Sequence, residues 1–337
     1  MSNSTVAIVI LNFNGKKHLE TFLPSVLHTT YEQVKIVVAD NGSTDDSLSF
    51  LKENHPNITC LQRDTNEGFA GGYNWALSLV DADYYVLLNS DVKVQPNWLE
   101  PMVSLLDSNT NIAACQPKIL SYANPSCFEY AGASGGWIDA LGYPFSRGRI
   151  FDVCENDNGQ YNHVSPIFWA TGASLFIRST CYKEMGGLDE SFFAHQEEID
   201  LCWRTINKGY SIKYNSASVV YHVGGATLQQ GNPKKTFLNF RNSLLMLTKN
   251  LPQKEIYSIL FQRMILDGIA AIQFLLKGKV NHFLAVLKAH ASFYSLFSTH
   301  YKKREVFQVN KYYTVKSIVY IYFLKNVTIF KDILTFK

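Results

Sequence analysis

The sequence lacks any cysteine pattern that would staple or metallate it. Its six cysteines, at positions 60, 115, 127, 154, 181 and 202, are scattered and include no C-x-x-C pair. A secreted disulfide scaffold and a cysteine zinc site are both excluded, and a reducing compartment is expected. Long hydrophobic runs are lacking too. No stretch reaches the ~18 apolar residues of a spanning helix, and the nearest candidate, 256–276, is interrupted by Gln262, Arg263, Asp267 and Gln273. The N-terminus has no positive n-region and its apolar run covers only residues 6–11, which reads as a strand rather than a signal peptide. Internal repeats are absent. So are the G-x-G-x-x-G and G-x-x-x-x-G-K-[ST] loops, which removes the dinucleotide fingerprint and the phosphate loop.

Charge of one sign is what each part of the chain lacks. Residues 1–233 hold 14 Lys/Arg against 24 Asp/Glu, whereas residues 234–337 hold 17 against 4. The net charge of +3 over 337 residues hides this division. An acidic front part and a basic, aromatic-rich tail predict two segments with different partners. The tail's lysines are spread over Leu-, Ile- and Phe-rich helices and form no phosphate-tracking stripe, so nucleic acid is not an expected partner. Basic amphipathic helices fit an anionic membrane surface. Packing on the catalytic core, or on a second copy in a homodimer, is the alternative.

What is present in the first hundred residues is a regular alternation. Apolar runs at 6–11, 34–39, 58–61 and 84–88 predict strands, separated by helical spacing at 16–28, from about 44, and at 70–80. Strands that are apolar on both faces imply a mostly parallel sheet covered by helices, an α/β layered fold. Residues 110–165 read as strands plus long loops, the usual place for substrate contacts. A strand at 173–177, a helix at 197–207 and strands at 211–214 and 218–222 follow. Beyond Gly231-Asn232-Pro233 the pattern predicts helices at 237–250, 255–276 and 281–297. The spacing of 312–336 fits either a helix or two strands. The expected division is thus a domain of residues 1–233 and a mainly helical extension of residues 234–337.

Ligands of an open parallel sheet bind beyond the carboxyl ends of its strands, and those ends carry polar side chains here. They are Asn12-Phe13-Asn14-Gly15, Asp40-Asn41-Gly42-Ser43-Thr44-Asp45-Asp46 and Asn89-Ser90-Asp91. Asp40 is suited to accept hydrogen bonds from a base or ribose, while Ser43–Asp46 also reads as a simple helix cap. Asn89 and Asp91 suit a hard cation such as Mg²⁺, which takes oxygen ligands and shares a diphosphate. Asn66-Glu67-Gly68 brings a loop into a helix, where backbone N–H groups approach a phosphate or sugar; tight helix packing explains it as well. Glu197, Glu198 and Asp200 open a helix. They are either complements of its dipole or clustered carboxylates that raise one another's pKa, one of them a general base. His222 ends a strand and is either a packed residue or a ligand.

In this order, VAIVILNFNGKKHLETFLPSVL, VVADNGSTDDS, NEGFAGGYNWAL, YYVLLNSDV, ATGASLFIR, GGLDESFF, HQEEIDLCWR and YHVGG resemble glycosyltransferase family 2 over residues 5–225. Within it, the rhamnosyltransferase-like branch of bacterial polysaccharide clusters is most similar. The resemblance implies a GT-A fold, that is a Rossmann-like, mostly parallel sheet flanked by helices, here with a C-terminal helical extension. It implies inverting transfer of a sugar from a UDP-, dTDP- or GDP-sugar to a glycan or lipid-linked acceptor. Processive relatives carry a Q-x-x-R-W motif and spanning helices, so a single addition is expected.

By this resemblance Asp40 contacts the nucleotide base and Asn12 flanks base and ribose. Asn89-Ser90-Asp91 matches the D-x-D metal motif with Asp91 as the retained carboxylate, holding Mg²⁺ or Mn²⁺ with Asn89. His222 matches a position touching the metal or diphosphate. Glu197-Glu198 matches a Glu-Asp pair whose second member is the base, which makes Glu198 the expected base and Glu197 the alternative. Arg241, in Phe240-Arg241-Asn242, is expected to neutralise the leaving diphosphate. The expected location is the cytoplasm, at the inner face of the membrane. Two other readings stay open. A sugar-phosphate nucleotidyltransferase would need an N-terminal Gly-rich, Arg-containing signature. A non-catalytic nucleotide-sugar-binding subunit is suggested by the departures at Asn89 and Glu198.

Overall fold

The computed structural model describes residues 3–224 and 231–336. The strands of the first half are β1 (Val6–Asn12), β2 (Val34–Asn41), β3 (Thr59–Arg63), β4 (Tyr84–Asn89), β5 (Val92–Val94) and β6 (Ile112–Ser121). Between them lie helices α1 (Lys16–Leu27), α2 (Ser47–Asn54), α3 (Gly68–Ser78) and α4 (Glu100–Ser108). Four short strands follow, β7 (Gly136–Ile138), β8 (Pro144–Ser146), β9 (Arg149–Ile150) and β10 (Val153–Cys154), then β11 (Ser165–Ile167) and β12 (Ser174–Arg178). Helices α5 (Ser179–Glu184) and α6 (Glu197–Asn207) precede β13 (Ser211–His222). The chain ends in α7 (Pro233–Asn250), α8 (Ile256–Leu276), α9 (Val280–Lys302), α10 (Ile318–Lys325) and α11 (Phe330–Ile333).

The main sheet has the order β11-β13-β6-β12-β4-β1-β2-β3, with β5 on β13. Strands β3, β2, β1 and β4 are parallel, and β6 and β13 are parallel to each other. The exception in the middle is β12, antiparallel to both β4 and β6. Its apolar run, Ser174-Leu175-Phe176-Ile177, carries no signal of direction, so the reversal was not legible. Residues 211–222 form one strand with an irregularity between Asn215 and Val219, rather than two. Within 312–336 the regular elements are two short α-helices and a 3-10 turn, and not strands. The long strand β6 was hidden among expected loops because Gln116 and Lys118 interrupt it. Both are buried and satisfied: Gln116 Oε1 accepts from the Thr171 N–H at 3.0 Å, and Lys118 donates to Asp157 and Asn162.

Apolar layers cover both faces of the sheet. One contains Leu19, Leu23 and Val26 of α1 and Met102, Val103 and Leu106 of α4. The other joins Ala7, Val9 and Leu87 of the sheet to Leu244, Leu245, Met246, Leu247 and Phe293 of α7 and α9. The core therefore runs across position 233 without a break. A smaller layer under the β7–β10 sheet takes Ile318 and Ile321 of α10 and Phe330 and Ile333 of α11.

A buried ionic network joins the tail to α6. Asp200, wholly buried, accepts from Arg204 Nε at 2.8 Å, Lys249 Nζ at 2.7 Å and Asn250 Nδ2 at 2.8 Å. Lys249 Nζ also reaches Asp189 at 2.8 Å, which in turn accepts from Lys303 at 2.9 Å. Burial alone raises the pKa of these carboxylates, but Lys249, together with Arg204 at Asp200 and with Ser191 and Lys303 at Asp189, outweighs it and holds both below the ordinary range. The stability they contribute is complete above the unfolded pKa of about 3.9 and is lost as pH falls below it. Lys249→Met leaves buried charge short of a partner and is expected to cost about 3–5 kcal/mol in urea denaturation at pH 7. Its loss of stability in acid is expected to be shallower than that of the parent.

Candidate active site

A cavity of about 370 Å³ opens at the carboxyl end of β4, between the start of α6, the 130–149 segment and the first turns of α7. It is lined by Asn89, Asp91, His222, Glu197 and Glu198, so five of the expected residues meet in one place. Asp91 and His222 are buried, with His222 Nε2 3.1 Å from Asp91 Oδ1 and 3.5 Å from Asn89 Nδ2. The Gly224 N–H donates to Asp91 Oδ2 at 3.2 Å, while Gly225 of the expected motif lies outside the described residues. Behind His222, Glu129 Oε2 is 3.2 Å from Nδ1. Burial opposes charge on His222, but the two flanking carboxylates outweigh it and push the imidazole up to about 10.

These residues fit a divalent cation as a partial donor set, the imidazole ligating through Nε2 when the arriving cation displaces its proton. Among the described residues no group of three or more His, Cys, Asp and Glu is arranged to hold a metal by itself. His222 Nε2 nevertheless lies within 3.5 Å of both Asp91 Oδ1 and the Asn89 amide on the cavity wall. Glu129 on the far ring nitrogen is the carboxylate–histidine arrangement that fixes a ligating imidazole. A diphosphate with water completes such a set in magnesium sites.

Across the cavity, the chain enters α6 through a strained turn. Phe193, His195 and Gln196 have φ of 63°, 72° and 75°, a left-handed backbone that costs of order 1–3 kcal/mol per residue. Asn242 of α7 holds this turn. Its buried amide donates to the carbonyls of Phe192 at 2.9 Å, Ala194 at 3.0 Å and His195 at 2.8 Å. Beyond the turn, His195 Nε2, Gln196 Oε1, Glu197 Oε2 and Glu198 Oε2 are buried without a hydrogen-bond partner. Four successive unsatisfied polar side chains lining a cavity mark a place for a ligand. Burial, then the Glu198 charge, raises the Glu197 pKa well above the carboxylate range. Burial also raises Glu198, and backbone N–H groups, those of Ile199 and Gly172 among them, limit the rise to about 7.

The remaining expected residues sit elsewhere. Asn12 and Asp40, at adjoining ends of β1 and β2, bond each other at 2.8 Å and are wholly buried. Asp40 Oδ2 also accepts from the Ser43 N–H at 2.9 Å. Asn66 accepts from Asn41 at 3.0 Å and from the Gly68 N–H at 2.8 Å, which fixes the entry to α3. Gly68 has φ +75°, and a Cβ there would collide with Phe193 O, the acceptor of the Phe69 N–H at 2.6 Å. Arg241 does not line the cavity. It donates to the carbonyls of Ser191 at 2.9 Å and Phe192 at 3.2 Å, and so supports the same turn as Asn242.

The cations that do line the cavity are Lys235 and Arg149, with Asn239 beside Lys235 on α7. Neither was expected. Lys235 has a sequence signal, two lysines directly after the Asn-Pro that opens α7. Arg149 and Glu129 come from the irregular segment, where spacing says nothing of direction.

Comparison with known proteins agrees with this geometry. Residues 7–131 match the model of the family "Glycosyl transferase family 2". An N-acetylglucosaminyl-diphospho-decaprenol L-rhamnosyltransferase of Mycobacterium tuberculosis is 25% identical over 65% of this chain and 76% of its own length. The structure of GalNAc-T7 with UDP, GalNAc and Mn²⁺ superposes with a TM-score of 0.61 at 14% identity, covering 91% of this chain and 60% of that one. The mannosyltransferase PcManGT from Pyrobaculum calidifontis, in complex with GDP-Man and Mn²⁺, gives 0.53 at 13%, covering 90% and 84%. The fold is that of the GT-A nucleotide-sugar transferases. Over residues 7–131 the chain is similar to glycosyltransferase family 2, and its relatives and fold identify a glycosyltransferase.

Glu129→Gln keeps the size of the side chain but removes its charge from His222. It is expected to weaken Mn²⁺ binding, in the presence of a nucleoside diphosphate, by roughly 10–100-fold. Titration followed by the electron paramagnetic resonance of free Mn²⁺ reads this without turnover.

Proposed function

We propose that the protein transfers a single hexosyl or rhamnosyl unit, with inversion, to a hydroxyl of a glycan or lipid-linked acceptor in bacterial polysaccharide assembly. The observation that carries this reading is the pair of adjacent carboxylates opening α6, each with an unpartnered oxygen in the cavity that also holds Asp91 and His222. A relative that acts on a polyprenyl-linked sugar supports the lipid-linked form of the acceptor. Free cysteines, three of them buried, support a reducing cytoplasmic setting. The inner face of the cytoplasmic membrane is then where a lipid-linked acceptor meets the enzyme.

Asp91, His222 and Asn89 would hold Mg²⁺ or Mn²⁺, which when bound neutralises charge on the leaving diphosphate. Lys235 and Arg149 add fixed positive charge to the same cavity. Asn12 and Asp40 line up the β1 and β2 ends where a nucleotide base would seat, with Asn66 and Gly68 at the neighbouring loop. Glu198 is the better base of the pair. Glu197 is held protonated by burial and by its neighbour, whereas Glu198 ionises near neutral pH. As the acceptor oxygen attacks the anomeric carbon, its proton passes to the Glu198 carboxylate and the bond to the diphosphate oxygen breaks.

Glu198→Gln is expected to keep donor binding and lower transfer by about 10²–10⁴-fold, the usual worth of a general base. Transfer by the parent enzyme should rise with pH through about 7 as Glu198 ionises. Unchanged turnover in the variant would remove Glu198 from this role. A thermal-shift series with UDP-, dTDP- and GDP-sugars, with and without Mn²⁺, identifies the donor. Only the true donor should raise the melting temperature strongly, and more so with the ion.

A further inference from the structure

The helix α8 is apolar on the wrong side. Six of its large side chains face solvent: Tyr257 (63% exposed), Phe261 (66%), Ile265 (50%), Ile269 (59%), Ile272 (56%) and Leu276 (82%). Their spacing of four, four, four, three and four residues puts them on one face about 120° wide. The charged side chains point the other way, into the protein. Arg263 is buried, donates to the Leu141 carbonyl at 3.0 Å and stacks on the Tyr143 ring at 3.6 Å. Asp267, also buried, pairs with His290 of α9 at 3.2 Å. A surface helix normally shows water its polar face. This one has its charged groups bound to the body of the protein and its apolar stripe free.

The stripe continues onto α9. Leu287 and Tyr294 are exposed there, one on either side of His290, and the Tyr294 hydroxyl meets Met264 of α8 at 3.3 Å. Exposed lysines border this surface: Lys254 before α8, Lys277 and Lys279 at its end, and Lys288 on α9. An apolar surface of this size on a monomer marks an interaction site.

We propose that the α8–α9 face docks the enzyme on an anionic lipid bilayer, with the six α8 side chains entering the acyl boundary and the bordering lysines at the headgroups. Charge selects this occupant. A second copy would bring the same basic face, from a segment with 17 Lys/Arg against 4 Asp/Glu, whereas phosphate headgroups complement it. The geometry also sets how α8 meets the membrane. It is the one helix among the described residues long and apolar enough to cross a bilayer. Crossing would break the Arg263 and Asp267 pairings with Leu141, Tyr143 and His290, so the helix lies on the surface. The purpose of docking rests on the lipid-linked acceptor proposed above, but the docking itself is tested with no substrate present.

The test is sedimentation of the purified full chain with vesicles of phosphatidylcholine alone or mixed with phosphatidylglycerol. The expected result is binding to the mixed vesicles at low salt, weaker at high salt and weakest on phosphatidylcholine. The triple variant Phe261→Ser/Ile269→Ser/Leu276→Ser changes only exposed side chains, so its melting temperature and donor binding should be unchanged. Its partition should fall at least about tenfold. In a separate variant, Ile269→Trp, the fluorescence added by the new indole should shift to the blue on mixed vesicles. No sedimentation at low salt, or an unshifted emission from the Ile269→Trp variant, overturns the proposal. So does a dimer, seen by sedimentation velocity, that the triple variant dissociates, because the face is then taken by a second copy. Failure of transfer to a lipid-linked acceptor with vesicle binding intact would instead count against the acceptor.

Discussion

One carboxamide governs the catalytic side of the molecule. The two N–H bonds of Asn242 are shared among the carbonyls of Phe192, Ala194 and His195, and no other side chain among the described residues touches all three. A turn with three left-handed non-glycine residues would relax on its own. Held from behind, it enters α6 at a fixed angle, and Glu197 and Glu198 emerge from its first turn into the cavity. Arg241, one residue earlier, grips the same turn through Ser191 and Phe192. Residues of the basic tail thus shape the backbone from which the two glutamates project.

That dependence explains why the chain cannot be read as a catalytic domain with a detachable appendage. The apolar layer beneath the sheet includes α7 and α9, and the Asp189–Lys249–Asp200 network locks them to α6. The charge division at about residue 233 is real in the sequence but does not mark a seam in the packing. Part of the positive half is consumed inside the protein, by Lys249, Arg263 and Arg241. Of the rest, Lys254, Lys277, Lys279 and Lys288 are exposed beside the apolar face of α8.

The first four strands and their helices were legible because both faces of those strands are apolar and the helices carry clean 3.6-residue spacing. Five of the cavity-lining residues were legible because they lie at strand ends or open helices, positions where the fold itself delivers side chains to the crevice. Three kinds of feature were not. The direction of β12 depends on its neighbours and leaves no local trace. The strand β6 was masked by Gln116 and Lys118, which are satisfied in part by partners 39 and 55 residues away. Glu129, Arg149 and Lys235 reach the cavity from segments whose path is set by tertiary packing. Asp200, grouped in the sequence with the two glutamates, instead neutralises the buried Arg204 and Lys249.

The missing side chain at position 68 has a wider consequence. Because Gly68 carries no methyl group, the Phe193 carbonyl comes close enough to receive both the Phe69 and the Ala70 N–H groups. The start of α3, tied through Asn41 and Asn66 to the end of β2, and the turn that aims the two glutamates are therefore measured from a single oxygen atom. The end of β2 and the start of α6 share a common ruler, so a shift of either one carries through that oxygen to the other.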